Sequence, residues 1–279
     1  MSKKKSPKKS KEKKIIKKKG FVLGVISPKG GVGKTVTSAN LAVALSIDLN
    51  KRVVAIDTNV TTASLGFHFN ILYPEASIYD IIKKDFSHHW AIHHFNDNLD
   101  IIPASIAIDK RDKNIHKMQD NIKKVVQHYA GLLKELTQEY DYVILDAAGG
   151  FNLESVATMT VSDGILLVTN PEYPAVVAAA KCVSYCKMLK VPIIGIVLAK
   201  VKNKSFEISK EKIEESLGVP VIGSIPEDEN VPKSISRKIP ILLYSPFSKA
   251  SIAYRKVAAA AIGMEYKPKF SEKIKSWFT

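Results

Sequence analysis

The sequence predicts an α/β fold: a doubly wound, mainly parallel sheet flanked by helices. Three observations lead there. Seven short runs, at 21–26, 53–57, 99–103, 142–146, 164–169, 193–199 and 219–225, are almost continuously apolar, as strands are when both faces of a parallel sheet are covered. Stretches with helical periodicity separate them, and strands alternating with helices imply βαβ crossovers. The composition, 46% apolar and 25% charged, is that of an ordinary globular chain. At 279 residues it can bury a sizeable core, and no apolar run approaches the roughly 18–20 residues of a membrane-spanning helix.

Taken in order, the chain opens on residues 1–20, which hold eleven lysines and one glutamate and so carry +10 of the total net charge of +15. Such a segment repels itself and has little to bury, which predicts a disordered arm. It has neither the apolar stretch of a secretion signal nor the arginines of a transit peptide. Its charge suits plain solvation, or attraction to the phosphates of nucleic acid or anionic lipid. In a eukaryote, Pro7-Lys8-Lys9-Ser10-Lys11 would also serve as a nuclear address. From 21 to 262 neither a repeat nor a linker interrupts the pattern, which predicts one domain. The clearest helix carries Ile115, Met118, Ile122, Val125, Val126, Tyr129, Leu132, Leu133 and Leu136 on one face. Cys182 and Cys186 are the two cysteines, so a disulfide framework is excluded and a reducing compartment is the default.

Directly after the first strand stands Ser27-Pro28-Lys29-Gly30-Gly31-Val32-Gly33-Lys34-Thr35. Glycines let the backbone turn so that successive N–H groups point inward and form an anion cradle, Gly30 to Thr35. A helix beginning near Thr35 adds the positive end of its dipole. Lys34 is placed to reach the β- and γ-phosphates of a nucleotide, and the Thr35 hydroxyl to ligate Mg²⁺. The first glycine of the usual P-loop pattern is Pro28 here, and a second lysine, Lys29, precedes the glycine pair.

These residues resemble the MinD/ParA family of deviant P-loop ATPases, whose loop reads K-G-G-x-G-K-[ST]. The resemblance continues through Asp57-Thr58-Asn59-Val60, in the place of switch I, and Tyr140 to Gly150, in the place of the Walker B strand and switch II. It extends to Ile225-Pro226-Glu227-Asp228, similar to a segment near the adenine, and covers roughly residues 21–262. It implies a P-loop NTPase fold binding ATP and Mg²⁺, and a homodimer with ATP sandwiched between subunits. Lys29 would reach the partner's phosphates, Asp57 and Asp146 would lie on the metal side, and Pro226 near the base. Charge supports the dimer: four phosphate-facing lysines at one seam repel each other without triphosphates between them. The sequence departs from the family at Asn59, where the second acid of D-x-D positions the attacking water. An asparagine can hold a water but cannot accept a proton, so slow basal hydrolysis is expected, raised by an activating partner.

After Pro268 the chain ends on a segment in which Phe270, Ile274, Trp277 and Phe278 fall on one helical face, with Lys269, Lys273 and Lys275 on or beside the other. Apolar bulk, a tryptophan and lysines suit a lipid interface; a terminal helix docked on the domain is the bland reading. MinD-type members carry a comparable helix, whereas ParA-type members bind DNA through basic residues. The two tails favour an anionic membrane over DNA, although the arm would neutralise DNA phosphates equally well. The expected organisation is an arm (1–20), a P-loop ATPase domain (21–262), and a linker with an amphipathic helix (263–279). The expected role is a spatial regulator in the cytoplasm, peripheral on the inner face of the membrane, with a cargo protein unidentified. A DNA-bound partitioning ATPase and a slow nucleotide-binding scaffold are the alternatives. His88, His89, His93 and His94 cluster with no local Glu or Cys to complete a metal set, so solvated or packed histidines are expected. The cysteine pair is expected to be buried on an alanine-rich helix.

Overall fold

The computed structural model describes residues 19–84, 87–105 and 122–267. Their strands are β1 (Phe21–Ser27), β2 (Val53–Asp57), β3 (His93–Asn96), β4 (Leu99–Ile102), β5 (Tyr142–Gly149), β6 (Gly164–Thr169), β7 (Ile193–Val201) and β8 (Val221–Pro226). They form one sheet in the order β3-β4-β2-β5-β1-β6-β7-β8. All neighbours run parallel except β3, which pairs antiparallel with β4 at the edge. The seven expected strands are present, with β5 reaching Gly149 and β7 reaching Val201. The polar, histidine-bearing β3 carries no apolar run, and at an edge it needs none.

The apolar runs hide a two-residue alternation. Leu23 and Val25 of β1, with Val53 and Ala55 of β2, face a layer made by α1 (Lys34–Val43) and the carboxyl-terminal helix Lys249–Ala261. Val22, Val54 and Ile56 face the opposite layer, where α2 (Ile78–Lys84) and α3 (Ile122–Glu139) pack. Ile26 and the neighbouring strands β6 to β8 face α4 (Leu153–Val161), α5 (Tyr173–Leu189) and α6 (Lys210–Leu217) on that same side. Two-sided coverage is why no polar alternation is visible in the sequence. On α3, Tyr129, Leu132, Leu133 and Leu136 are buried as the periodicity requires; Ile115 and Met118 lie outside the described residues. Cys182 and Cys186 are buried on α5, and burial pushes their thiols up to about 12 and about 11. No helix among the described residues is long and apolar enough to cross a membrane.

Candidate functional site

Parallel strands deliver their following loops to one edge of the sheet, and ligands of open α/β sheets bind in the crevice outside the strands' carboxyl ends. Here that edge gathers the loops after β1, β2, β5, β7 and β8 around a cleft of about 1040 Å³. At one end the cleft is lined by Gly30, Gly31, Gly33, Lys34, Thr35 and Asn59. At the other, Ile225, Pro226, Val231, Pro232, Ile235 and Tyr254 offer apolar surface, interrupted by Glu227, Asp228 and Glu229. A polar, cationic end and an apolar end match a phosphate chain and a base.

The phosphate end follows from local chain chemistry. Gly33 caps α1 in the left-handed region, φ 103°, and no side chain accepts from the first-turn N–H groups, nor does that turn contain an acid. Those donors and the dipole's positive end are therefore left for an anion. Gly149, at the end of β5, lies against the loop: a Cβ there would stand 3.1 Å from the Gly30 Cα. The Gly150 N–H donates to the Ser27 carbonyl at 3.0 Å, tying the two loops together.

Behind the cradle lies a charged cluster that the register of β2 on β5 assembles, since Asp57 and Asp146 are direct cross-strand partners. Both are fully buried. The Lys34 ammonium donates to Asp146 Oδ1 at 2.7 Å, and the Ser38 hydroxyl donates to the same oxygen at 2.7 Å. Asp146 Oδ2 has no hydrogen-bond partner among the described residues. Asp57 accepts N–H groups from Asn59 (3.0 Å), Ser64 (2.8 Å) and Leu65 (2.9 Å). The Thr35 hydroxyl lies 3.1 Å from that of Ser64. An orphaned carboxylate oxygen, a second carboxylate and a hydroxyl form an all-oxygen set, which fits a hard cation such as Mg²⁺.

Burial, and then the charge of Asp146, push Asp57 up to about 7 against the pull of its three N–H donors. The folded protein therefore holds this proton more tightly than the unfolded chain, whose value is the ordinary 3.8. The stabilisation is complete below the ordinary carboxylate range and is lost as pH climbs through about 7, by at most about 1.4 kcal/mol per unit. The nucleotide-free protein should melt lower at about pH 8 than at about pH 6, and Asp57→Asn should flatten that dependence. A variant with the wild-type profile would remove Asp57 as the cause.

Asn59, 6% exposed, faces its own loop as well as the cleft. Its Nδ2 donates to the Thr62 carbonyl (2.7 Å) and hydroxyl (2.8 Å), and its Oδ1 accepts the Thr62 N–H (3.1 Å). Lys29 is exposed at the outer edge of the loop and does not line the cleft. Val32 turns its side chain into the core and offers only backbone to a ligand. Phe270, Ile274, Trp277 and Phe278 lie outside the described residues, as does the arm through residue 18.

Sequence reasoning missed several participants. Ser38 lies four residues beyond Lys34, and that spacing signals a shared helix face. Ser64, Thr62 and Lys200 carry no such mark. Lys200 sits at φ 58° and donates its Nζ to the Gly31 carbonyl at 2.7 Å, bracing the cradle from β7.

Two family models match the chain. One describes an AAA domain and covers residues 21–193; the other describes 4Fe-4S iron sulfur cluster binding proteins of the NifH/frxC family and covers residues 122–273. The chain is 31% identical over 258 residues to the septum site-determining protein MinD of Bacillus subtilis, covering 88% of this chain and 90% of the relative. It superposes on the cell division ATPase MinD of Pyrococcus furiosus with a TM-score of 0.77 and 29% identity, covering 86% of this chain and 98% of that one. For MinD of Pyrococcus horikoshii complexed with Mg-ADP the TM-score is 0.76 and the identity 27%, with 86% and 95% covered. With the likeness running over most of both chains and through the two-lysine loop, this protein belongs to the MinD/ParA family of P-loop ATPases, on its MinD-like side.

Proposed function

We propose that this protein is an ATP-driven spatial regulator that dimerises around ATP and Mg²⁺, holds a surface in that state, and lets go after hydrolysis. The observation that carries the reading is the uncapped start of α1 facing a cleft, with Lys34 held in reserve by Asp146, the cross-strand partner of Asp57. Lys34 would exchange Asp146 for the β- and γ-phosphates, and the N–H groups from Gly30 to Thr35 would hold the chain of phosphates. Mg²⁺, held by Thr35 with Asp57 and Asp146 on its far side, would neutralise phosphate charge. Pro226 and the apolar surface around it would take the base. Asn59 would orient the attacking water without taking its proton, which keeps turnover slow.

Lys29 supports the dimer by its place: exposed beside the cradle, it is free to meet a partner's phosphates across a shared seam. The surface is an anionic membrane, read by Phe270, Ile274, Trp277 and Phe278 with help from the lysine arm. One short helix binds lipid weakly and two bind through avidity, so ATP would switch attachment on. The protein would then sit in the cytoplasm and on the inner face of the membrane, positioning a division site or similar machinery.

Light scattering with ATP and Mg²⁺ should double the mass of the full chain. Co-sedimentation with anionic vesicles should then require both ATP and residues 268–279. A mass unchanged by ATP would overturn the switch. Vesicle binding that survives removal of 268–279 would overturn the amphipathic tail, and ATP-dependent binding to DNA in place of vesicles would make the protein a partitioning ATPase.

A further inference from the structure

We propose that His88, His89 and Glu139 form a surface site for a divalent transition-metal ion, with Zn²⁺ as its occupant and Glu135 as the group that orients it. The histidine-rich segment has no glutamate nearby in sequence; the fold supplies two. The single turn His88–Ala91 packs beside the carboxyl-terminal end of α3, where Glu135 and Glu139 stand one helical turn apart. One ligand atom from each of His88, His89 and Glu139 lies within 4.8 Å of the others.

The ring of His88 decides the chemistry. It is buried at 4% exposure, an unusual place for an imidazole between two carboxylates. Its Nδ1 lies 3.1 Å from Glu135 Oε2. Nε2 has no hydrogen-bond partner among the described residues and stands 3.9 Å from Glu139 Oε1. A buried polar nitrogen left without a partner is costly. A cation between Nε2 and the Glu139 carboxylate would satisfy both. The carboxylate–imidazole–metal relay is the usual way a ligating histidine is held. The His89 ring lies beside it, centroids 4.2 Å apart and planes tilted by 54°, at an exposed position that admits an ion from solvent. The negative end of the α3 dipole points to the same place. Two imidazoles and one carboxylate suit Zn²⁺ rather than Mg²⁺ or Ca²⁺, and three protein ligands leave a fourth position for water or a partner's side chain. His93, four residues beyond His89, lies on strand β3 and not on a helix with it.

The test is calorimetric titration of Zn²⁺ into the untagged, nucleotide-free full chain, with saturating Mg²⁺ to occupy the carboxylates behind the cradle. One ion per chain should bind, and Co²⁺ should give a visible ligand-field band. His89→Ala and Glu139→Gln, both at exposed positions, should each weaken binding at least about tenfold, and Glu135→Gln should cost about 10–100-fold while sparing the stoichiometry. His94→Ala, on the neighbouring strand, should change nothing. No heat with the wild-type chain would overturn the site. Wild-type affinity in the His89→Ala/Glu139→Gln double variant would overturn it equally, by placing the ion elsewhere.

Discussion

Lys34→Ala is expected to abolish ATP binding and, in the same protein, to lower the melting temperature of the nucleotide-free state. The first effect follows from the loss of the one cradle side chain placed to reach the phosphates. The second follows from what the ammonium does while no nucleotide is bound. It is 7% exposed and 2.7 Å from the fully buried Asp146, whose cross-strand neighbour is the equally buried Asp57. Removing one member of a buried ion pair leaves an uncompensated charge and costs about 3–5 kcal/mol. For a domain of this size that is a fall of roughly 10 °C. The two effects separate in the Lys34→Ala/Asp146→Asn double variant. An amide at 146 still accepts from Ser38 but carries no charge, so stability should return while ATP binding stays lost. Calorimetry and thermal melts of the wild type, Lys34→Ala, Asp146→Asn and the double variant decide the matter. A Lys34→Ala protein with wild-type melting would show that Asp146 finds another partner, and one that still binds ATP would remove Lys34 from the site.

Asn59→Asp is expected to raise the rate of ATP hydrolysis by about tenfold or more, within the range that general-base catalysis supplies. The same change loosens the nucleotide-free loop. The amide now donates to the Thr62 carbonyl at 2.7 Å, and a carboxylate has no proton to give, so that contact becomes one acceptor against another. Its loss costs about 1–3 kcal/mol. It also adds a third carboxylate beside Asp57 and Asp146. Asn59→Ala separates holding a water from activating one: it should fall below wild type if the amide orients the nucleophile. Single-turnover measurement on the three proteins gives the answer. Equal rates throughout would take residue 59 out of the chemistry and leave it a loop staple.

Those two residues differ in how they could be read. Lys34 is legible from its neighbours alone: a strand, a glycine turn, a lysine and a helix start are one local device, and their order along the chain determines their order in space. Asn59 is legible only as a position after the second strand. Its bonds to Thr62 depend on a loop conformation that no periodicity encodes. The edge strand His93–Asn96 escaped notice because an edge needs no apolar run. The seven buried strands were readable for the opposite reason, since a chain covered on both faces must be apolar throughout.

The chain's local chemistry determined the fold class, the cradle from Gly30 to Thr35 and the residues offered to phosphate. These depend on backbone freedom, helix ends and burial, all of which act over a few neighbouring residues. Tertiary structure alone decided which distant groups share a site. The sheet places β5 between β1 and β2, and that order sets Asp146 beside Asp57 and under Lys34. Packing of α3 against the His88–Ala91 turn brings Glu135 and Glu139 to a buried imidazole in the same way. Strand order and helix docking are set by how all the apolar faces cover one another at once, and no single stretch of sequence holds that information.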